Sequence, residues 1–126
     1  MLNERTQPTF AIGEPDPALA CLPRKAVPAD RIGTRLVGIS GLYAGHVFPL
    51  PGEVNLIGRD LECSVSLHND KTASRLHARI VLEDDGHVLY DQGSANGTYV
   101  NGALVRRCLL APGDTVQCGS TRLRYE

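Results

Sequence analysis

Three short stretches of this 126-residue chain carry the side chains whose types and spacing could do chemistry. The first is Ile57-Gly58-Arg59-Asp60. The second is Thr72-Ala73-Ser74-Arg75-Leu76-His77. The third is Asp91-Gln92-Gly93-Ser94-Ala95-Asn96-Gly97-Thr98. Together they suit a phosphate dianion, which needs positive charge and converging hydrogen-bond donors. Arg59 offers a planar fork matched to two phosphate oxygens. Ser74 offers a hydroxyl and a loop N–H, and Arg75 adds a second positive charge beside it. Asn96 has both an amide donor and an acceptor, so it suits the backbone of a peptide rather than its phosphate. Each residue also has a plainer reading. Arg59 could form a surface ion pair with Asp60 or Glu62, and Ser74 could cap a turn or a strand entry. Arg75 could be merely solvated, and Asn96 could serve only as an Asx-turn residue.

Other chemistries find less support. Ser74, His77 and Asp91 occur, but no G-x-S-x-G elbow leads from a strand into a helix, and α/β alternation is missing. No nucleophile–base–orienter unit stands out, so no catalysis is expected. His46, His68, His77 and His87 are scattered, and Cys21, Cys63, Cys108 and Cys118 include no C-x-x-C pair. No metal or other cofactor is expected. The cysteines read as free thiols that act as small core groups in a reducing compartment. A net charge of -1, from 13 Lys+Arg against 14 Asp+Glu, argues against general binding to nucleic acid or an anionic membrane. No run of about 18 apolar residues and no signal-type stretch is present, so a soluble, cytoplasmic protein is expected.

The elements that must position these loops are β-strands. Residues 1–34 hold five of the eight prolines (Pro8, Pro15, Pro17, Pro23 and Pro28) and show no period of 2 or 3.6. Prolines remove ladder donors and restrict their predecessors, which predicts a flexible N-terminal tail over 1–34 and a folded domain over 35–126. Thr6 and Thr9 would be open to a kinase within that tail. From Arg35 onward, short apolar runs are broken by Gly, Pro, Asn and Asp. Strands are expected at Arg35–Ser40, His46–Leu50, Glu53–Gly58, Ala78–Glu83, His87–Asp91, Thr98–Val100, Ala103–Val105, Thr115–Cys118 and Thr121–Tyr125. Asn101-Gly102 accepts the positive φ at both central positions that a type I′ hairpin needs. About 90 residues at a spacing of 8–12 give roughly ten short, mainly antiparallel strands, hence a sandwich with its loops at the ends.

The ordered set Gly58-Arg59, then Ser74-Arg75-Leu76-His77, then Ser94-Ala95-Asn96-Gly97-Thr98-Tyr99-Val100-Asn101-Gly102 resembles the forkhead-associated (FHA) domain. Leu110, Gly113-Asp114, Val116 and Gly119 fit the end of the pattern. The resemblance covers roughly residues 35–126. It implies an FHA-type β-sandwich that binds a phosphothreonine-containing protein downstream of a Ser/Thr kinase, with Arg59, Ser74, Arg75 and Asn96 as ligand contacts. It further implies supporting roles for Gly58, His77, Ser94, Gly97, Thr98 and Asn101, with His77 bracing the loops without touching ligand. The sequence departs from the family at Ala95, where a Ser or Thr hydroxyl often helps to hold the phosphate. That departure keeps a second reading open, an FHA-fold scaffold that binds its partner without phosphate.

Overall fold

The computed structural model describes residue 24 and residues 26–126, so most of the expected tail, including Thr6, Thr9 and Cys21, lies outside the described residues. Eleven strands follow in chain order: β1 (Arg35–Ser40), β2 (Val47–Pro49), β3 (Val54–Gly58), β4 (Val65–Ser66), β5 (Ala78–Glu83), β6 (Gly86–Asp91), β7 (Thr98–Val100), β8 (Ala103–Val105), β9 (Arg107–Leu109), β10 (Thr115–Cys118) and β11 (Thr121–Tyr125). Only two 3₁₀ turns, Ala29–Arg31 and Gly41–Tyr43, interrupt the β-structure among the described residues. β4 and β9 were not expected, and both are too short to show an alternating pattern.

The strands form two sheets, one in the order β2-β1-β11-β10-β7-β8 and one in the order β4-β3-β5-β6-β9. Period-2 alternation decides which side chains meet between them. In β11, Thr121, Leu123 and Tyr125 are buried while Arg122 and Arg124 are exposed. Ala78 and Ile80 of β5 face the core in the same way, but Leu82 at the strand end is 40% exposed. The core joins Leu36, Val116 and Leu123 of one sheet to Ile57, Ile80 and Leu89 of the other. Asn101 (φ 53°) and Gly102 (φ 86°) make the β7–β8 turn left-handed at both central positions, as a type I′ hairpin requires.

Among the described residues every strand pairing is antiparallel except β3 with β4, where Ile57 aligns with Val65 and Gly58 with Ser66. The chain therefore leaves β3, arches through residues 59–64 and returns in the same direction. Cys63 N–H closes a turn on the Asp60 carbonyl (3.1 Å), and Leu67 N–H reaches the Gly58 carbonyl (2.7 Å). This arch pushes Arg59 to Glu62 outward at one end of the sandwich.

Cys63 and Cys118 are buried free thiols, and burial pushes both upward in pKa, so they are unreactive core groups. Cys108 corrects the free-thiol expectation, because it is disulfide-bonded. Sequence spacing says nothing of which sulfurs a folded sandwich brings within bonding reach.

At the end opposite the arch, residues 24 and 26–34 lie against the domain. Arg24 forks onto Asp114 (2.7 and 3.0 Å), and Val27 N–H bonds the Asp85 carbonyl (2.8 Å). Gly33 N–H donates to the Tyr125 hydroxyl (2.8 Å), which also meets Nδ1 of buried His87 (2.5 Å). Burial disfavours the charged imidazole and pushes His87 below its ordinary 6.5. The unfolded chain therefore binds more protons than the folded chain between that depressed value and 6.5. Stability that is full above this window is lost as the pH falls through it. Thermal melts from about pH 7.5 down to about pH 5.5 should show a falling midpoint in the parent and a shallower fall in His87→Gln. Parallel slopes in the two proteins would exclude His87 as a source of the pH dependence.

Candidate functional site

Three loops meet at the arch end, and backbone contacts fix their spacing. Arg59 N–H bonds the Ser74 carbonyl (3.0 Å) and Asp60 N–H the Arg75 carbonyl (3.2 Å), so the β3–β4 arch is zipped to the β4–β5 loop. Gly58 makes this possible, since a Cβ there would lie 2.0 Å from the Arg75 carbonyl oxygen. The Arg59 side chain then bends back, and its Nε donates to the Ala73 carbonyl (2.6 Å). One of its five N–H donors is thus spent on orientation. The terminal amino groups have no partner among the described residues, and no ion pair joins Arg59 to Asp60 or Glu62. The surface-salt-bridge reading of Arg59 is therefore not the arrangement adopted. Arg75 is exposed and its guanidinium is likewise uncommitted.

His77 joins the second loop to the third. It is fully buried. Ser74 N–H donates to its Nδ1 (3.0 Å), which leaves Nε2 as the protonated nitrogen, and Nε2 bonds the Gly97 carbonyl (2.8 Å). The Ser74 N–H that the sequence offered to an anion is thus already taken. The Ser74 hydroxyl accepts Ala95 N–H (3.0 Å) and keeps its own proton to donate. Asn96 Nδ2 donates to the Thr72 carbonyl (2.8 Å), while its Oδ1 stays free of partners among the described residues. Gly97 holds φ +86°, a left-handed backbone that suits glycine.

Two carboxylates shape these loops, and the sequence did not single out either for that role. Asp91 accepts Gly93 N–H (2.9 Å), Ser94 N–H (3.2 Å), the Ser94 hydroxyl and the Thr98 hydroxyl (2.7 Å), so it curls the third loop around itself. Asp70 is buried and accepts Thr72 N–H (2.9 Å), the Thr72 hydroxyl (2.5 Å), Ser120 N–H (2.9 Å) and the Thr121 hydroxyl (2.6 Å). It ties the second loop to the β10–β11 turn. Burial alone would raise the Asp70 pKa, but the bonds from Thr121, Thr72 and Ser120 outweigh it and hold the carboxyl below its usual value. The sequence signal for both was an Asp two or three residues before a Thr or Ser, the Asx-turn pattern.

Arg59, Ser74, Arg75 and Asn96 therefore come to one end of the sandwich, with Gly58, His77, Ser94, Gly97 and Thr98 around them. Asn101 does not. It sits beyond the far end of β7, where its Nδ2 donates to Asp114 (3.1 Å) and its Oδ1 accepts Thr115 N–H (3.0 Å).

The bracing contacts carry testable costs. His77→Ala removes two buried hydrogen bonds, strands the Ser74 N–H and Gly97 carbonyl, and opens a void. Asp70→Ala removes the acceptor of four donors and strands the buried Thr121 hydroxyl among them. Each change should cost about 1–3 kcal/mol per stranded buried group at the upper end, visible as a clear loss of melting temperature. A melt indistinguishable from the parent's for either variant would show that the loops hold without that brace.

Comparisons with known proteins bear on the family and the fold. The family model for the FHA domain matches residues 55–119. The chain is 42% identical over 90 residues to the glycogen accumulation regulator GarA of Mycobacterium tuberculosis, which covers 71% of this chain and 55% of that protein. It is 39% identical over 90 residues to an oxoglutarate dehydrogenase inhibitor of Corynebacterium jeikeium, covering 71% of this chain and 62% of that one. The chain thus spans a little over half the length of these curated relatives. Among solved structures, a domain studied for phosphothreonine-dependent FHA domain interactions superposes with a TM-score of 0.67 at 31% identity, over 75% of this chain and 95% of that one. The FHA domain of FhaA, complexed with the intracellular domain of another protein, superposes with a TM-score of 0.67 at 31% identity, over 74% and 99%. On its two-sheet topology, its loop constellation and the family match, the chain belongs to the FHA domain family.

Proposed function

We propose that this chain is a phosphothreonine-dependent protein–protein interaction module, a cytoplasmic signalling adaptor or regulator that acts downstream of a Ser/Thr kinase and catalyses nothing itself. One observation carries the reading. Arg59 is held by its Nε against the Ala73 carbonyl, its terminal amino groups are uncommitted, and the Ser74 hydroxyl and Asn96 amide are fixed on the two loops beside it. A phosphate seated on the Arg59 fork takes two parallel charge-assisted hydrogen bonds. The Ser74 hydroxyl supplies a third donor, and Arg75 adds long-range attraction. Asn96 Oδ1 is left to accept a peptide N–H. The names of the relatives, a regulator and an inhibitor, favour control of other proteins over catalysis.

Two observations favour the second reading, a partner bound without phosphate. Ala95 supplies no hydroxyl, and the Ser74 N–H is spent on His77. Titration of one threonine peptide with and without its phosphate separates the readings, and equal affinity for both forms would overturn the phosphate-dependent one.

Within the phosphate-dependent reading, Arg59→Ala should weaken phosphopeptide binding by about 30-fold to over 1,000-fold, the loss that follows from truncating one partner of a desolvated charge pair. Its melting temperature should fall only slightly, because an exposed side chain leaves no cavity and one hydrogen bond is worth about 1 kcal/mol. Arg59→Lys should recover part of the binding, since an ammonium keeps the charge and loses the fork. Ser74→Ala should cost less, on the order of 1–3 kcal/mol. Calorimetric titration with a single phosphopeptide measures all three. Parental affinity in Arg59→Ala would place the phosphate elsewhere.

A further inference from the structure

The open cleft of about 400 Å³ at the arch is lined by Arg59, Asp60, Leu61, Glu62 and Arg75. Two cations and two carboxylates thus share one cavity, yet no ion pair joins them among the described residues. The backbone keeps two of them from collapsing together. Arg59 Nε is held on the Ala73 carbonyl, and Asp60 Oδ1 accepts Glu62 N–H (3.0 Å). The cleft therefore keeps both its cationic and its anionic groups unpaired. Leu61 lies between the two carboxylates in sequence and is 75% exposed, the most exposed of the large apolar side chains among the described residues.

We infer that this cleft selects a lysine or arginine close to the phosphothreonine, with Glu62 and Asp60 taking the cationic head and Leu61 its aliphatic stem. The inference rests on the phosphopeptide reading of the same cleft. Lysine and arginine carry an apolar stem under a charged tip, which is the pattern that Leu61 and its two neighbours present in complement. A phosphate on the arginines and a basic side chain on the carboxylates satisfy both sets of charges, whereas an acidic neighbour meets like charge at Asp60 and Glu62. Extended chain rises about 3.3 Å per residue, so one cleft places the basic residue within about two positions of the phosphothreonine.

The test uses a phosphothreonine peptide in an alanine background, with lysine, alanine or glutamate placed in turn at each of the two or so positions on either side. Each peptide is titrated into the parent, Glu62→Lys and Asp60→Asn. In the parent, lysine at one position should bind about two- to fivefold tighter than alanine, the range of an exposed ion pair, and glutamate should bind more weakly than alanine. Glu62→Lys should invert that order, and Asp60→Asn should flatten it. A parent that requires phosphate yet shows no preference for lysine at any position overturns the inference and leaves the phosphopeptide reading standing. So does an order that survives Glu62→Lys. Equal binding of phosphorylated and unphosphorylated peptide by the parent instead removes the reading on which the inference rests.

Discussion

The candidate-site end of this domain depends on one buried imidazole. His77 lies where the β4–β5 loop meets the β6–β7 loop, and it satisfies a backbone donor of one and a backbone acceptor of the other. A buried polar ring is tolerable only when both nitrogens have partners, and here both do. The arrangement is also selective. A shift of either loop would leave the fully buried imidazole with an unpaired nitrogen, which favours one relative position of the two loops. The Ser74 hydroxyl and the Asn96 amide are fixed beside Arg59 as a consequence, through bonds that cross between the same loops.

Charge at this end follows from how the carboxylates are used. Asp70 and Asp91 stand at the loops that carry Ser74 and Asn96, yet their oxygens are filled by backbone N–H and hydroxyl donors. They rigidify the loops and leave Arg59 and Arg75 unpaired. At the opposite end the reverse holds: Asp114 takes the Arg24 fork and gathers Asn101 and the Ala111 N–H around it. A domain whose formal net charge is only -1 thus presents two unpaired arginines at this end, beside the carboxylates of Asp60 and Glu62, because pairing and not composition decides which charges stay available.

Much of the fold was legible in the chain. Period-2 runs such as Thr121–Tyr125, and the Asn101-Gly102 turn, fix local geometry through side-chain alternation and left-handed φ, and those effects need no distant partner. β4 and β9 were not legible. Two or three residues cannot display a period, and these exist as strands only because β3 and β6 offer them a ladder. The docking of residues 26–34 was hidden for the same reason, since it depends on surfaces that form only when the sheets close.

The candidate site divides along the same line. The sequence by itself determined the chemical inventory: a guanidinium, a hydroxyl and a carboxamide on three loops, with glycines where backbone must approach closely. It also determined which end of the strands carries them, because strand direction follows from the turns. Only the tertiary structure decided which of these groups remain free. Arg59 escapes Asp60 because the Ala73 carbonyl holds its Nε, the Ser74 N–H is lost to His77, and Asn101 is carried to the far end by the length of β7. Hydrogen-bond partners are a property of distance and direction across the closed sandwich, and neither quantity is written in residue order.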